Sequence, residues 1–213
     1  MKISASLLNA DFTALGELVR GLEKAGADML HIDVMDGNFV PNISIGFPVI
    51  QSLKAFTALP LDVHLMVDRP HRYIERFIEA GADTLGFHYE AGSDSGRVIR
   101  RIKELGAKPS ITVCPSTPVH VLYDHLEAVS QVLIMTVQPG YGGQDFMLPM
   151  LGKVEKLRME RERRGLDFEI QVDGGIDSET ALPAKRAGAD ILVVGSALIG
   201  AEDMSAAIKA LRT

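Results

Sequence analysis

Hydrophobic and polar positions alternate through short runs that recur along the chain, and several runs end on a histidine or an aspartate. Side chains two apart on a strand share a face. In His31-Ile-Asp33 the two polar residues therefore point one way, and in Asp62-Val-His64 they do so again. A later run ends Gln171-Val-Asp173-Gly-Gly. The runs predict strands over 2–6, 28–34, 60–66, 83–88, 108–113, 129–135, 167–172 and 190–194. The segments between them carry helical spacing. Leu15, Leu18, Val19 and Leu22 fall at i, i+3, i+4 and i+7, and Leu148, Leu151, Val154 and Leu157 share a face. Tyr73, Ile74, Phe77 and Ile78 follow Pro70, which suits the first turn of a helix.

A repeat organises these elements. Gly-Ala-Asp begins at Gly26, Gly81 and Gly188, each time after an alanine, and Gly106-Ala-Lys is a variant. The gaps are 55, 25 and 82 residues, close to two, one and three units of about 27, and eight such units fill the chain. The glycine closes a helix and a strand follows at once. Alternating strands and helices imply a parallel sheet, and eight units with short loops predict one α/β domain over 1–213, a closed (β/α)8 TIM barrel. A doubly wound open sheet is the alternative, but no Gly-rich dinucleotide fingerprint follows the first strand.

Composition narrows the function. The chain is 46% hydrophobic and 23% charged over 213 residues, enough for a full core. A net charge of −6 argues against a nucleic-acid surface, although backbone N–H groups can still bind a phosphate. One cysteine allows no internal disulfide. No apolar run is long enough to span a membrane, and no signal-peptide pattern opens the sequence. The reading is a soluble, cytoplasmic protein.

Active sites of such barrels lie at the C-terminal ends of the strands. Those ends carry Ser6, His31 and Asp33, His64 and Met66, His88, Cys114, Met135, Asp173, and Gly195-Ser196. A single histidine there is ordinarily a hydrogen-bonded core residue. Two imidazoles and two carboxylates converging at one end suit a divalent metal: zinc, iron, manganese or cobalt. His88 is either a partner to that group or packing. His71, His120 and His125 read as surface residues, Asp36 before Gly37 as a turn residue, and Cys114 as a small packing residue. The charge run from Lys153 to Arg164 reads as a solvated helix face. All lysines fall on helices or at strand starts on the opposite face, which disfavours a Schiff-base mechanism.

Glycines cluster in three neighbouring loops: Gly140-Tyr-Gly-Gly143, Gly174-Gly175, and Gly195-Ser196. Glycine lets backbone N–H groups approach an anion closely, and the last loops of this fold commonly bind phosphate.

These residues resemble the ribulose-phosphate 3-epimerase family along nearly the whole chain. The strongest strings are His31-Ile-Asp-Val-Met-Asp-Gly with Phe39-Val-Pro-Asn, Leu61-Asp-Val-His-Leu-Met, Met135-Thr-Val-Gln-Pro-Gly-Tyr-Gly-Gly-Gln, and Val172-Asp-Gly-Gly-Ile. The resemblance implies a barrel of the ribulose-phosphate-binding type. It implies His31, Asp33, His64 and Asp173 as ligands of one divalent metal per subunit, with Asp33 and Asp173 also the acid/base pair. It implies substrate and phosphate contacts from Ser6, His64, Gly140, Tyr141, Gly142, Gly143, Asp173, Gly174, Gly175, Gly195 and Ser196. Met35, Met66 and Met135 match pocket-lining methionines, although spacing alone reads them as core filler. A homo-oligomer is implied as well.

The expected reaction inverts C3 of a ketose phosphate through a cis-enediolate, converting D-ribulose 5-phosphate and D-xylulose 5-phosphate into one another. One aspartate removes the proton, and the other returns one to the opposite face. Ala5, Asn38 and Cys114 depart from the family's usual proline, histidine and asparagine, and Asn9 and Gln138 are also atypical. These positions surround the site and bear on the sugar, leaving a six-carbon substrate such as D-allulose 6-phosphate as an alternative. A metal-dependent aldolase and a non-catalytic sugar-phosphate-binding barrel are the competing classes.

Overall fold

The computed structural model describes residues 1–213. Eight parallel strands close into a barrel in sequence order, the last pairing with the first. They are β1 (Lys2–Ser6), β2 (Met29–Met35), β3 (Leu61–Met66), β4 (Thr84–His88), β5 (Lys108–Val113), β6 (Gln131–Met135), β7 (Glu169–Asp173) and β8 (Ile191–Val194). The predicted strands lie within two residues of these at each end. Around them run α1 (Leu15–Ala25), α2 (Phe47–Phe56), α3 (Ile74–Glu79), α4 (Ser95–Glu104), α5 (Leu151–Arg164), α6 (Ala181–Ala187), α7 (Ser196–Ile199) and α8 (Met204–Arg212).

The helix spacing departs from strict alternation in two places. Between β5 and β6 a 3₁₀ turn at Val119–Leu122 replaces an α-helix, because Pro115 and Pro118 interrupt the stretch. After β8, the short α7 precedes α8. Pro70 also stands outside α3, in its own 3₁₀ turn at Pro70–Arg72. The repeat glycines do close helices: Gly26, Gly81, Gly106 and Gly188 all have φ between 85° and 116°, a region an L side chain enters only with strain.

Two different environments line the strands. The outward-facing residues, among them Ile3, Ile32, Val63, Phe87, Ile111, Ile134, Val172 and Leu192, join the helices in one core cluster of 49 buried residues. The inward-facing positions are largely polar. Ser4 Oγ donates to Asp62 Oδ2 (3.1 Å), Gln171 Nε2 donates to the same oxygen (2.7 Å), and Gln131 Nε2 donates to Gln171 Oε1 (2.6 Å). Buried polar groups are tolerable only when paired, and this network pairs them across the barrel floor.

Candidate active site

Strand register assembles the site. In the parallel pairing of β2 with β3, His31 sits opposite Asp62 and Asp33 opposite His64. The four inward side chains form two layers, with His31 and Asp62 below, and Asp33 and His64 above. Asp173 at the end of β7 joins the upper layer, and Ser6 Oγ donates to Asp33 Oδ2 at 3.0 Å.

His31, Asp33, His64 and Asp173 each bring a ligand atom within 4.8 Å of all the others. His31 Nε2 lies 3.4 Å from Asp33 Oδ1 and 3.8 Å from Asp173 Oδ2, and His64 Nδ1 lies 3.2 Å and 3.9 Å from the same two atoms. Donors each about 2.0–2.2 Å from one ion are at most roughly 4.4 Å apart, so these separations suit a shared cation. His31 Nε2 is buried and has no hydrogen-bond partner. An orphaned imidazole nitrogen aimed at two carboxylates is the arrangement a cation would complete, and the two-nitrogen, two-oxygen set suits zinc, iron, manganese or cobalt.

The charges are unevenly distributed. Burial opposes ionisation of Asp33, but His31 and His64 outweigh it and hold the carboxyl well below its usual range. Burial, followed by the negative charge of Asp33, pushes Asp173 up to about 7. Burial also disfavours a charged His31, yet Asp33 and Asp62 prevail and hold the imidazole well above its ordinary value. Burial lowers His64 and keeps it neutral.

A cavity of about 570 Å³ opens over this group, with Ser6, Asp33, Asp173, Met35, Met66 and Met135 in its lining. The methionines lie outside the main core. Met35 and Met66 pack with Val40, and Met135 packs with Leu133 and Val137. His31 and His64 lie beneath the lining, almost wholly buried.

All of the predicted loop residues border the same cavity: Gly140, Tyr141, Gly142, Gly143, Gly174, Gly175, Gly195 and Ser196. At Gly174 (φ 116°) a Cβ would meet Val137 at 2.4 Å, and at Gly175 (φ 67°) it would meet the backbone nitrogen of Phe146 at 2.5 Å. Thr136 Oγ1 donates to the carbonyls of Asp173 and Gly174, and Thr180 Oγ1 to that of Gly175. Tyr141 spends its hydroxyl on Pro41 O (3.1 Å), tying the loop after β6 to the loop after β2.

Other candidates fall where the sequence places them. Asp36 Oδ1 accepts from the backbone of Asn38 and Phe39, as a turn residue does. His71 and His120 are exposed, and His125 is partly so. Cys114 stands beside His88, and burial pushes its thiol up to about 12, so it is no thiolate. The charged face of α5 is more than solvated: Lys153 Nζ donates to the carbonyls of Cys114, Pro115 and Thr117.

Two supporting carboxylates escaped the sequence reading. Asp62 holds His31 Nδ1 at 2.8 Å, and Glu90 lies behind His88. The spacing Asp62-Val-His64 shows that Asp62 faces inward, but only register shows which histidine it supports.

The fold is shared with enzymes of distant sequence. Solved structures titled 3-hexulose-6-phosphate synthase and KGPDC from Streptococcus mutans each superpose with a TM-score of 0.71, at 20% and 14% identity. They cover 100% and 99% of this chain, and 98% and 95% of their own. Sequence relatives are much nearer. The ribulose-phosphate 3-epimerase of Bacillus subtilis is 47% identical over 213 residues, covering 100% of this chain and 98% of the relative. That of Methanocaldococcus jannaschii is 45% identical, covering 100% and 90%. The chloroplastic ribulose-5-phosphate-3-epimerase of Arabidopsis thaliana is 44% identical, covering 99% and 75%. The family profile described as ribulose-phosphate 3 epimerase matches residues 2–199, and with these full-length relatives it establishes that the chain belongs to the ribulose-phosphate 3-epimerase family.

Proposed function

We propose that this chain is a metal-dependent ketose-phosphate 3-epimerase that interconverts D-ribulose 5-phosphate and D-xylulose 5-phosphate. The observation that carries the proposal is the pair Asp33 and Asp173. Their carboxylates lie within 4.8 Å of each other yet come from strands separated by β1 and β8. Inversion at carbon needs two proton-carrying groups, because a single base returns the proton to the face it came from. Family membership and the full-length relatives supply the substrate class.

His31, Asp33, His64 and Asp173 would hold one divalent ion. When bound, it supplies Lewis-acid stabilisation of negative charge developing on the substrate's oxygens. The remaining work falls to side chains and backbone. One of Asp33 and Asp173 takes the C3 proton, and the other delivers a solvent-derived proton to the opposite face. Reversing the reaction exchanges their roles. Ser6 Oγ, bonded to Asp33 Oδ2, fixes that carboxylate's orientation. Met35, Met66 and Met135 give the reacting carbons an apolar wall that limits water. The backbone N–H groups of Gly142, Gly143, Gly174 and Gly175 donate to no backbone acceptor, and with Gly195 and Ser196 they would receive the phosphate.

Proton NMR in D2O tests this reading with metal-loaded protein and D-ribulose 5-phosphate, D-allulose 6-phosphate being run in parallel. Metal-dependent deuterium entry at C3 with appearance of the epimer is expected, faster with the five-carbon sugar. Triose or glycolaldehyde products would indicate an aldolase. No exchange with either sugar, in protein that holds metal, would leave the non-catalytic barrel.

A further inference from the structure

His88 and Glu90 lie behind the metal-binding cluster rather than in it. His88, at the end of β4, is almost wholly buried, and its Nε2 lies 2.9 Å from His64 Nε2 with the two rings stacked at 28°. On the far side, His88 Nδ1 faces Glu90 Oε2 at 3.4 Å and Cys114 Sγ at 3.4 Å. Glu90 Oε2 is a buried carboxylate oxygen with no hydrogen bond of ordinary geometry, and the ring of His88 lies beside it. Its other oxygen is fixed, since Cys114 N donates to Oε1 at 2.9 Å. Lys153 in turn holds the loop carrying Cys114 by three carbonyls.

A neutral imidazole has one N–H and one bare nitrogen, and the partner of one nitrogen decides the state of the other. For His64 to offer Nδ1 to a cation, its proton must sit on Nε2. That N–H then points at His88 Nε2, which must be bare. The His88 proton is consequently on Nδ1, where it meets the carboxylate of Glu90. In the opposite arrangement a bare Nδ1 would have only the weak S–H donor of Cys114 and would face the ionised carboxylate, lone pair against negative charge. We infer that Glu90 and His88 form a two-step relay that sets the ring tautomer of His64, holding Nδ1 bare and aimed at the cation. Both are positioning residues, and neither borders the cavity. The burial of Glu90 is outweighed by its contacts with His88, Thr117 and the backbone N–H of Cys114, which hold its carboxyl down to about 2.

The relay rests on the metal reading of the site, and its test distinguishes the two. Zinc affinity is measured by competition with a chromophoric chelator for wild type, His88→Phe, Glu90→Ala and Glu90→Gln, alongside thermal unfolding of the metal-free proteins. His88→Phe and Glu90→Ala should weaken zinc binding by about 10- to 100-fold. Glu90→Gln should recover part of that loss, because its single amide oxygen can accept from Nδ1 only by turning the NH2 group towards the Cys114 N–H. A merely structural role would not separate the Gln and Ala variants at equal metal-free stability. Long-range ¹H–¹⁵N spectra of zinc-loaded wild type should show His64 protonated at Nε2 and His88 at Nδ1. Wild-type zinc affinity in folded Glu90→Ala, or a His88 proton on Nε2 in the loaded protein, would overturn the relay. Wild-type protein that takes up none of zinc, cobalt and manganese would overturn the reading of the site itself, and the relay with it.

Discussion

Asp33 and Asp173 face each other across less than 4.8 Å at the mouth of the barrel and are held in opposite protonation states. Two carboxylates so close cannot both ionise without cost, and their surroundings decide which one does. Asp33 accepts from Ser6 and lies against His64, whereas no hydrogen-bond donor in the protein reaches the Asp173 carboxylate, whose side chain is 15% exposed.

Replacing Asp173 by Asn is therefore expected to abolish epimerisation while leaving the fold intact. General acid–base groups contribute about 10²–10⁴-fold each, and a loss at least that large is expected by NMR assay. Wild-type turnover in the variant would refute the two-base scheme. Stability of the metal-free proteins gives a second readout. The folded-state value for Asp173, about 7, lies above its ordinary 3.8, so between those values the folded state holds a proton that the unfolded chain lacks. Stability from this group is present at low pH and is lost as pH rises through about 7. The Asn variant has no such proton, so urea titrations should find it more stable than wild type at pH 8, with the gap closing towards pH 4.

Metal uptake should depend on pH in the opposite sense. A cation needs ionised Asp173 and neutral His31, and in the metal-free protein both tend to hold protons near neutrality. Zinc affinity is expected to rise with pH between 6 and 8, with protons released on binding. Calorimetry in buffers of differing ionisation enthalpy counts them. The count should fall by about one as Asp173 loses its own proton through pH 7. A count that does not change with pH would contradict the raised value.

Much of this was legible in the sequence because polar strand ends interrupt otherwise apolar runs. The four cluster residues, the glycine loops and all eight strands could be placed that way. What could not be read depends on register or on departures from the repeat. Ser4, Gln131 and Gln171 sit in strands buried on both faces, where a polar residue reads as an irregularity rather than as part of a network across the barrel floor. The link from Asp62 to His31 spans 31 residues and exists only once β2 and β3 pair. The missing helix after β5 was hidden by the assumption that every unit repeats the last.

Asp62→Asn tests that floor. Asp62 accepts from Ser4 and Gln171 and pairs with His31 Nδ1. All three meet Oδ2, so an amide that keeps its oxygen there turns its NH2 towards Gln131 Nε2, which donates to Oδ1 at 3.5 Å, and leaves His31 without its carboxylate. Removing one partner of a buried pair costs roughly 3–5 kcal/mol, or about 6–20 °C in Tm for a domain of this size. Loss of the carboxylate behind His31 should also weaken zinc binding by about 10- to 100-fold. A variant with unchanged Tm and zinc affinity would show that the network is not needed to orient His31.

Two glycine-to-alanine substitutions separate backbone strain from loss of the phosphate cradle. Gly26 closes α1 at φ 90° with nothing within 4 Å of the place a Cβ would take, whereas Gly175 at φ 67° would press a Cβ against Phe146 N at 2.5 Å. Both variants incur the left-handed penalty of about 1–2 kcal/mol, so both should unfold earlier in urea. Only Gly175→Ala must also displace the backbone that runs from Gly143 to Phe146 along the cavity rim. Its KM for the sugar phosphate should therefore rise much more than its kcat falls, because the phosphate lies away from the reacting carbon and contributes binding in ground and transition states alike. Gly26→Ala should keep wild-type KM at its reduced stability. Equal KM values in the two variants would remove the glycine loops from the phosphate site and leave their shape to turn geometry alone.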